Sequence, residues 1–307
     1  MSSSQERQAS SALISSMNCF AEEYEFAALD FEQLNDTPDL GIFDEAVKGP
    51  LNYAATNNER ELILPAINSV RALLSAAAEA SPPIRRIVIT SSFASILDSN
   101  RHAPSTPYFT YTAADWNPLT YEEAADPSTS PVIAYRGSKK FAELAAWDVV
   151  RERKPAFDVV TICPPMTFGP VVNPVSKAVE LNETNATLWK AVESALEGKP
   201  LPVARVPFWV DVRDVAKAHV EALLRPEAGG KRFLVAAPER FSYGLAVKIV
   251  KGEFEWAEGA QEGDQEIDES YGLDGETAAK ELGLTYRSLK ETVTELVGQV
   301  ARMEGRA

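Results

Sequence analysis

Two β-branched runs constrain this chain more than anything else in it. Arg86-Ile-Val-Ile-Thr-Ser-Ser92 and Phe157-Asp-Val-Val-Thr-Ile-Cys163 are short and apolar, without polar alternation. Such runs predict strands buried on both faces of a parallel sheet. A long helical pattern over 134–152 lies between them. Another, over 60–80, precedes the first, with Leu64, Ile67, Val70, Leu74 and Ala77 at helical spacing. Ser81-Pro-Pro ends that helix. Strands alternating with helices of this length predict an α/β fold, a Rossmann-like doubly wound parallel sheet. The same reading gives a short strand over 24–29 and a short helix over 42–48. It gives helices over 188–197, from Val210-Asp211 to Leu224, over 275–282 and over 288–303, and a last core strand over 233–236. Residues 93–130, rich in Pro, Ser, Thr and Asp, read as one long surface loop, and loops of that length are usually functional. Ten acidic residues and no basic one between Glu253 and Glu276 read as a solvated connection. No internal repeat is visible.

Composition narrows the function. Hydrophobic residues make up 45% of 307, enough to bury a core. A net charge of -15 argues against nucleic acid or an anionic membrane as partner. Cys19 and Cys163 make no disulfide framework and suit a reducing cytosol. His102 and His219 share no ligand spacing with a Cys or carboxylate cluster, so no metal site is expected. No run approaches the ~18 apolar residues of a membrane helix. The first residues lack an apolar signal core. The expected location is the cytoplasm, where the sequons at Asn182 and Asn185 go unused.

The residues that carry chemistry begin with Tyr135-Arg-Gly-Ser-Lys139. Tyr and Lys four apart share one helix face. Their helix follows a core strand that ends in Thr90-Ser91-Ser92. In a parallel sheet, strand C-termini and the following helix starts face one crevice. Ser92, Tyr135 and Lys139 can therefore converge. That set suits reduction of a carbonyl, in which negative charge develops on the oxygen and a proton must be supplied. A phenol of pKa near ~10 is a poor participant at neutral pH until a nearby ammonium favours the phenolate. Lys139 supplies that charge, and Ser92 can hydrogen-bond the substrate oxygen.

The blocks IVITSSFASILD, DWNPLTYEEA, AYRGSKKFAELAAWDVV, PPMTFGPV, VDVRDVAKAHVEAL and the ending ARMEGRA occur in this order. With them the chain resembles the extended short-chain dehydrogenases/reductases of the NAD-dependent epimerase/dehydratase superfamily. It is similar to their dihydroflavonol-reductase-like branch, above all the fungal methylglyoxal/isovaleraldehyde reductases and ketoreductases. The resemblance runs from about Tyr24 onward. It implies a catalytic triad of Ser92, Tyr135 and Lys139, with Tyr135 as proton donor. It implies NADP(H) as cofactor, with NAD(H) also compatible. Tyr135, Lys139, Pro164 and Met166 would meet its nicotinamide end, and Asp30 and Phe31 its adenine end. Family members often carry Asn where this chain has Cys163. Substrate contacts are expected from Phe93, from the residues following Gly169, and from Phe208 and Trp209, a pair that could equally be plain packing.

The expected organisation is a dinucleotide-binding region over 1–165, a substrate-lobe insertion over 166–208, a return to the sheet over 209–236, and a small, mostly helical substrate lobe over 237–307. The expected substrate is a small-molecule carbonyl, within secondary metabolism such as polyketide assembly, and the expected state is a monomer or weak homodimer. Two other readings stay open. One is a sugar-nucleotide epimerase or dehydratase using the same triad, against which DWNPLTYEEA and RVPFWVDVRDV favour the reductase branch. The other is a catalytically inactive relative acting as a binding or scaffold protein.

The first glycine is Gly41, and no GxGxxG or GxxGxxG spacing occurs anywhere. Against the family, the first strand, its helix and the second strand are expected to be missing, ~30–40 residues by the usual size of a βαβ unit. A second gap is expected at Val47-Lys-Gly-Pro-Leu51, where the family has another strand. Intact catalytic residues favour a lost coding segment over an inactive relative. Pyrophosphate normally rests on the N–H groups of a helix start beside a glycine turn. Losing two or three such charge-assisted bonds removes roughly 5 kcal/mol, or several thousand-fold in affinity. The 307-residue chain should therefore bind NADPH weakly, and adding a family-type glycine-rich head should restore binding. Titration of both forms checks this, and micromolar affinity in the chain as written would refute it.

Overall fold

The structure is a computed structural model that describes residues 55–306 apart from 82, 99–100, 102–107, 173–174, 205 and 264. The strand expected over 24–29 and the helix expected over 42–48 lie outside the described residues.

In chain order the elements are α1 (Leu64–Ala78), β1 (Arg86–Thr90), β2 (Phe109–Tyr111), α2 (Tyr121–Ala125), α3 (Pro131–Arg153), β3 (Asp158–Ile162), β4 (Met166–Phe168) and α4 (Glu183–Leu196). Then follow β5 (Trp209–Asp211), α5 (Val212–Leu224), β6 (Arg232–Phe233), α6 (Tyr243–Glu253), β7 (Tyr271–Leu273), α7 (Gly275–Leu282) and α8 (Leu289–Met303). A π-helical turn, Glu59–Ile63, runs straight into α1.

β3 is the centre of a three-stranded parallel sheet in the order β1-β3-β6. Its side chains alternate between faces, as a strand requires. Val159 meets α1 and α3 beside Leu74 and Ala146. Val160 and Ile162 meet α5 and α7 beside Ala218, Ala222 and Leu282. Helices on both faces of parallel strands are the doubly wound arrangement read from the sequence. β1 departs from that reading. It is half-buried, with Thr90 exposed, rather than sunk on both faces. It has one strand neighbour, β3, among the described residues, and so forms their outer strand.

Local signals explain the helix ends. Pro131 opens α3, where its fixed φ suits a helix start and its missing N–H costs nothing. Lys154, in the left-handed conformation at φ 46, closes it ahead of Pro155. Thr120 and Glu123 form a reciprocal capping box on α2. That box, together with β2, means that 93–130 is not the unbroken loop expected. β2 pairs in parallel with β7, which also gives structure to the acidic stretch. A further parallel pair, β4 with β5, was not foreseen.

A second core joins α4, α6 and α8 around Phe168, Trp209 and Phe241. Helix α7 was expected in the C-terminal lobe. Its Ala278 and Leu282 instead join the sheet core against α5. Glu59–Ala78 is long and apolar enough to cross a membrane by length and composition alone, contrary to the sequence expectation. In the fold its Leu62, Ile63, Ile67, Leu74 and Ala77 line cores shared with α3, and a core helix of a soluble protein passes the same test.

Gly137 lies where α2 crosses α3. A Cβ there would stand 2.5 Å from the Ala124 Cβ, so one helix would have to move. Gly252 in α6 has nothing within 4 Å of such a Cβ. Gly137→Ala should therefore destabilise by about 1–3 kcal/mol through overpacking, despite the better helix propensity of alanine. Gly252→Ala should be neutral or stabilising by up to ~1 kcal/mol. Urea unfolding of the two variants checks the contrast; equal effects would show that α2 does not press on α3.

Candidate active site

The C-terminal end of β1 hands the chain to a short 3-10 turn, Phe93–Ser95, with Ser92 as its cap. Ser92 is extended (φ -161, ψ 151), and its Oγ accepts the Ala94 N–H at 3.1 Å. One lone pair of that hydroxyl is thus fixed to the backbone. The Phe93 N–H donates to the Pro164 carbonyl at 2.9 Å, joining the ends of β1 and β3.

Tyr135 lies early in α3, and Lys139 follows one turn later. The Lys139 Nζ stands 5.5 Å from the centroid of the Tyr135 ring. Burial pushes the Lys139 pKa below the usual lysine range, because a desolvated ammonium is less stable. Ser92 and Tyr135 line one cleft of roughly 330 Å³, together with Phe93, Met166, Val206 and Tyr243. Its far wall comes from Glu183, Thr184 and Thr187 at the start of α4. The cleft therefore lies between the sheet's strand ends and the second core, with more apolar than polar wall.

Ser92, Tyr135, Met166 and Phe93 thus line one cleft, while the Lys139 Nζ lies over the Tyr135 ring and Lys139 is not among the lining residues. Pro164 contributes its carbonyl to the β1 junction, while Pro165 lines the cleft. Phe208 and Trp209 are not among the lining residues. Phe208 packs edge-on against Phe93 at 6.4 Å and Tyr271 at 5.2 Å. Trp209, fully buried, enters the second core. The position of Trp209 follows from β5, which pairs with β4 and is buried along its length. Asp30 and Phe31 lie outside the described residues.

Three residues escaped the sequence reading. Glu143, two turns beyond Tyr135, is 3% exposed. It receives the Arg232 guanidinium at 2.7 Å, and Arg232 also lies over the Trp116 ring at 3.6 Å. The third is Asn185, buried, whose carboxamide accepts the Gly169 N–H at 3.3 Å and donates to the Gly169 carbonyl at 2.9 Å. That bond holds the turn at Gly169, which has φ 137. Helical spacing gave a hint for Glu143, since it shares a face with Lys139 four residues earlier. Nothing local marks Arg232 or Asn185.

Cys163 is fully buried. Its thiol lies 3.8 Å from a Glu143 carboxylate oxygen, and burial pushes its pKa up to about 12. It should stay protonated and unreactive in the native protein. A thiol reagent at pH 8, followed by peptide mapping, should leave Cys163 unlabelled until urea is added. Labelling of Cys163 in the native chain would contradict the buried placement.

No family model matches the chain. It is 32% identical over 286 residues to ketoreductase azaE of Aspergillus niger, covering 88% of this chain and 82% of that protein. It is 32% identical over 268 residues to an NADPH-dependent methylglyoxal reductase of Saccharomyces cerevisiae, covering 84% and 75%. Among solved structures, the yeast methylglyoxal/isovaleraldehyde reductase complexed with NADPH superposes with a TM-score of 0.74 at 30% identity, covering 84% of this chain and 76% of that one.

Proposed function

The chain belongs to the extended short-chain dehydrogenase/reductase family of oxidoreductases, and from that premise we propose that it reduces a ketone or aldehyde with NADPH at the cleft between Ser92 and Tyr135. The observation that carries the reading is the meeting of Ser92 and Tyr135 in one cleft, with Lys139 one turn behind. NADPH, when bound, supplies the hydride that reaches the carbonyl carbon. The residues at this end suit a nicotinamide. Pro165 and Met166 give an apolar wall, and Lys139 is buried beside the tyrosine. The sequence holds no glycine-rich turn for the phosphates.

In this reading Tyr135 donates its phenolic proton to the carbonyl oxygen as charge develops there. Lys139 favours the phenolate that results, and the Ser92 hydroxyl donates to the same oxygen. The mostly apolar cleft suits a substrate with a hydrophobic body and one carbonyl. A place in secondary metabolism, the site residues, the monomeric or weakly dimeric state and a cytoplasmic setting belong to the same proposal.

The test is NADPH consumption over a panel of aldehydes and ketones. Tyr135→Phe should lower turnover by about a hundredfold or more, the usual weight of a general acid. NADPH affinity should stay within a few-fold, because the ring and Lys139 remain. Full turnover in the phenylalanine variant would remove Tyr135 from the chemistry.

A further inference from the structure

We infer that Glu143, held by Arg232, is a positioning residue that fixes the Ser92 hydroxyl in the cleft by gripping the serines on either side of it. The consequence for catalysis rests on the reading of Ser92 and Tyr135 given above; the geometry does not.

One Glu143 carboxylate oxygen receives the Ser91 hydroxyl at 2.5 Å and the Ser95 hydroxyl at 2.6 Å. The other receives Thr161 Oγ1 at 2.8 Å and Arg232 Nε at 2.7 Å. The Ser95 Oγ also lies 2.8 Å from the Ser92 carbonyl oxygen. Ser92 is therefore the middle of a short segment stapled at both ends to one carboxylate. That carboxylate is rooted in α3, the helix that carries Tyr135 and Lys139. A single group thus ties the Ser92 turn to the Tyr135 helix, so the separation of the two reacting hydroxyls is set by Glu143.

The carboxylate can do this only while charged. Burial alone pushes its pKa up, but the Arg232 hydrogen bonds and charge, with the Ser91 and Ser95 hydroxyls, outweigh burial and hold it below the usual range. Ionised, it is acceptor-only and can take all these donors at once. Arg232 is itself immobilised. Its Nη1 donates to the Ala113 and Asp115 carbonyls at 2.5 and 2.8 Å. The turn is braced from outside as well, since Asn117 donates to the Ala94 carbonyl through its side chain and to the Ser95 carbonyl through its backbone.

A buried ion pair can also serve stability alone, so the test must be local. The Ala94 amide, which donates to the Ser92 Oγ, is a direct reporter of that hydroxyl. Amide hydrogen exchange is measured on the isotope-labelled 307-residue chain, with α8 amides as reference. In Glu143→Gln, Ala94 and Ser95 should exchange roughly ten- to a hundredfold faster, the factor expected for a lost bond to a charged acceptor, while α8 amides stay unchanged. Ser91→Ala should give a smaller effect of the same kind, and Ser91→Thr, which keeps a hydroxyl, should recover protection. If Glu143→Gln does not fold, Ser91→Ala and Ser95→Ala carry the test, because they leave the ion pair intact. Unchanged exchange at Ala94, or equal acceleration in α8, would overturn the inference. The measurement needs no turnover. An active Tyr135→Phe would sink the functional reading and leave this result standing.

Discussion

Arg86 stands opposite Asp158 at the start of the β1–β3 ladder, with Nε and Nη2 on the two carboxylate oxygens at 2.6 and 2.9 Å. The same guanidinium also donates to the Ala222 and Arg225 carbonyls near the end of α5, where unpaired carbonyls welcome a cation. One side chain thus fixes two strands and a helix. It also fixes the register, running from Arg86 with Asp158 to Thr90 with Ile162. A slip of one residue would turn every side chain of β1 to the other face. Ser91, whose N–H donates to Ile162, would then lose its place above β3, and Ser92 its place beside Pro164.

The cleft between Ser92 and Tyr135 follows from that register. Ser92 follows the end of β1 and Met166 opens β4, while α3 carries Tyr135, Lys139 and Glu143 at four-residue spacing. The opposite wall has to be held as well, and buried acids do it. Asp211 accepts Arg213 at 2.7 Å and the Thr292 hydroxyl at 2.6 Å, while Asp214 accepts Arg287. Both acids belong to the sheet side and grip the start of α8, so the second core is bound to the sheet by charge as well as by packing. Two regions that could drift apart are thereby kept at a spacing that leaves a cleft between them.

Much of this was legible in sequence because it is local. β1, β3, α1 and α3 announce themselves by their own residues, through β-branched runs, helical spacing and Pro131. The Tyr135–Lys139 pair is legible for the same reason, being four apart on one helix. What stayed hidden depends on partners far along the chain. β4, β5, β2 and β7 are three residues each, and only pairing makes them strands. Trp209 looked like a cleft residue until β4 turned it inward. The Thr120–Glu123 capping box was written in the sequence, yet it was overshadowed by the polar character of 93–130. Glu143 and Arg232 were hidden most deeply. A charged residue in an amphipathic helix is usually solvated, and only the fold brings Ser91, Ser95, Thr161 and Arg232 around that carboxylate.

In the proposed reaction Ser92 and Tyr135 meet the same substrate oxygen. A crystal structure of the protein with NADPH and a slowly reduced ketone shows whether they do. The ketone oxygen is expected within hydrogen-bond distance of both the Ser92 Oγ and the Tyr135 Oη, with Lys139 beside the phenol ring. A ketone bound elsewhere, or touching neither hydroxyl, would contradict it.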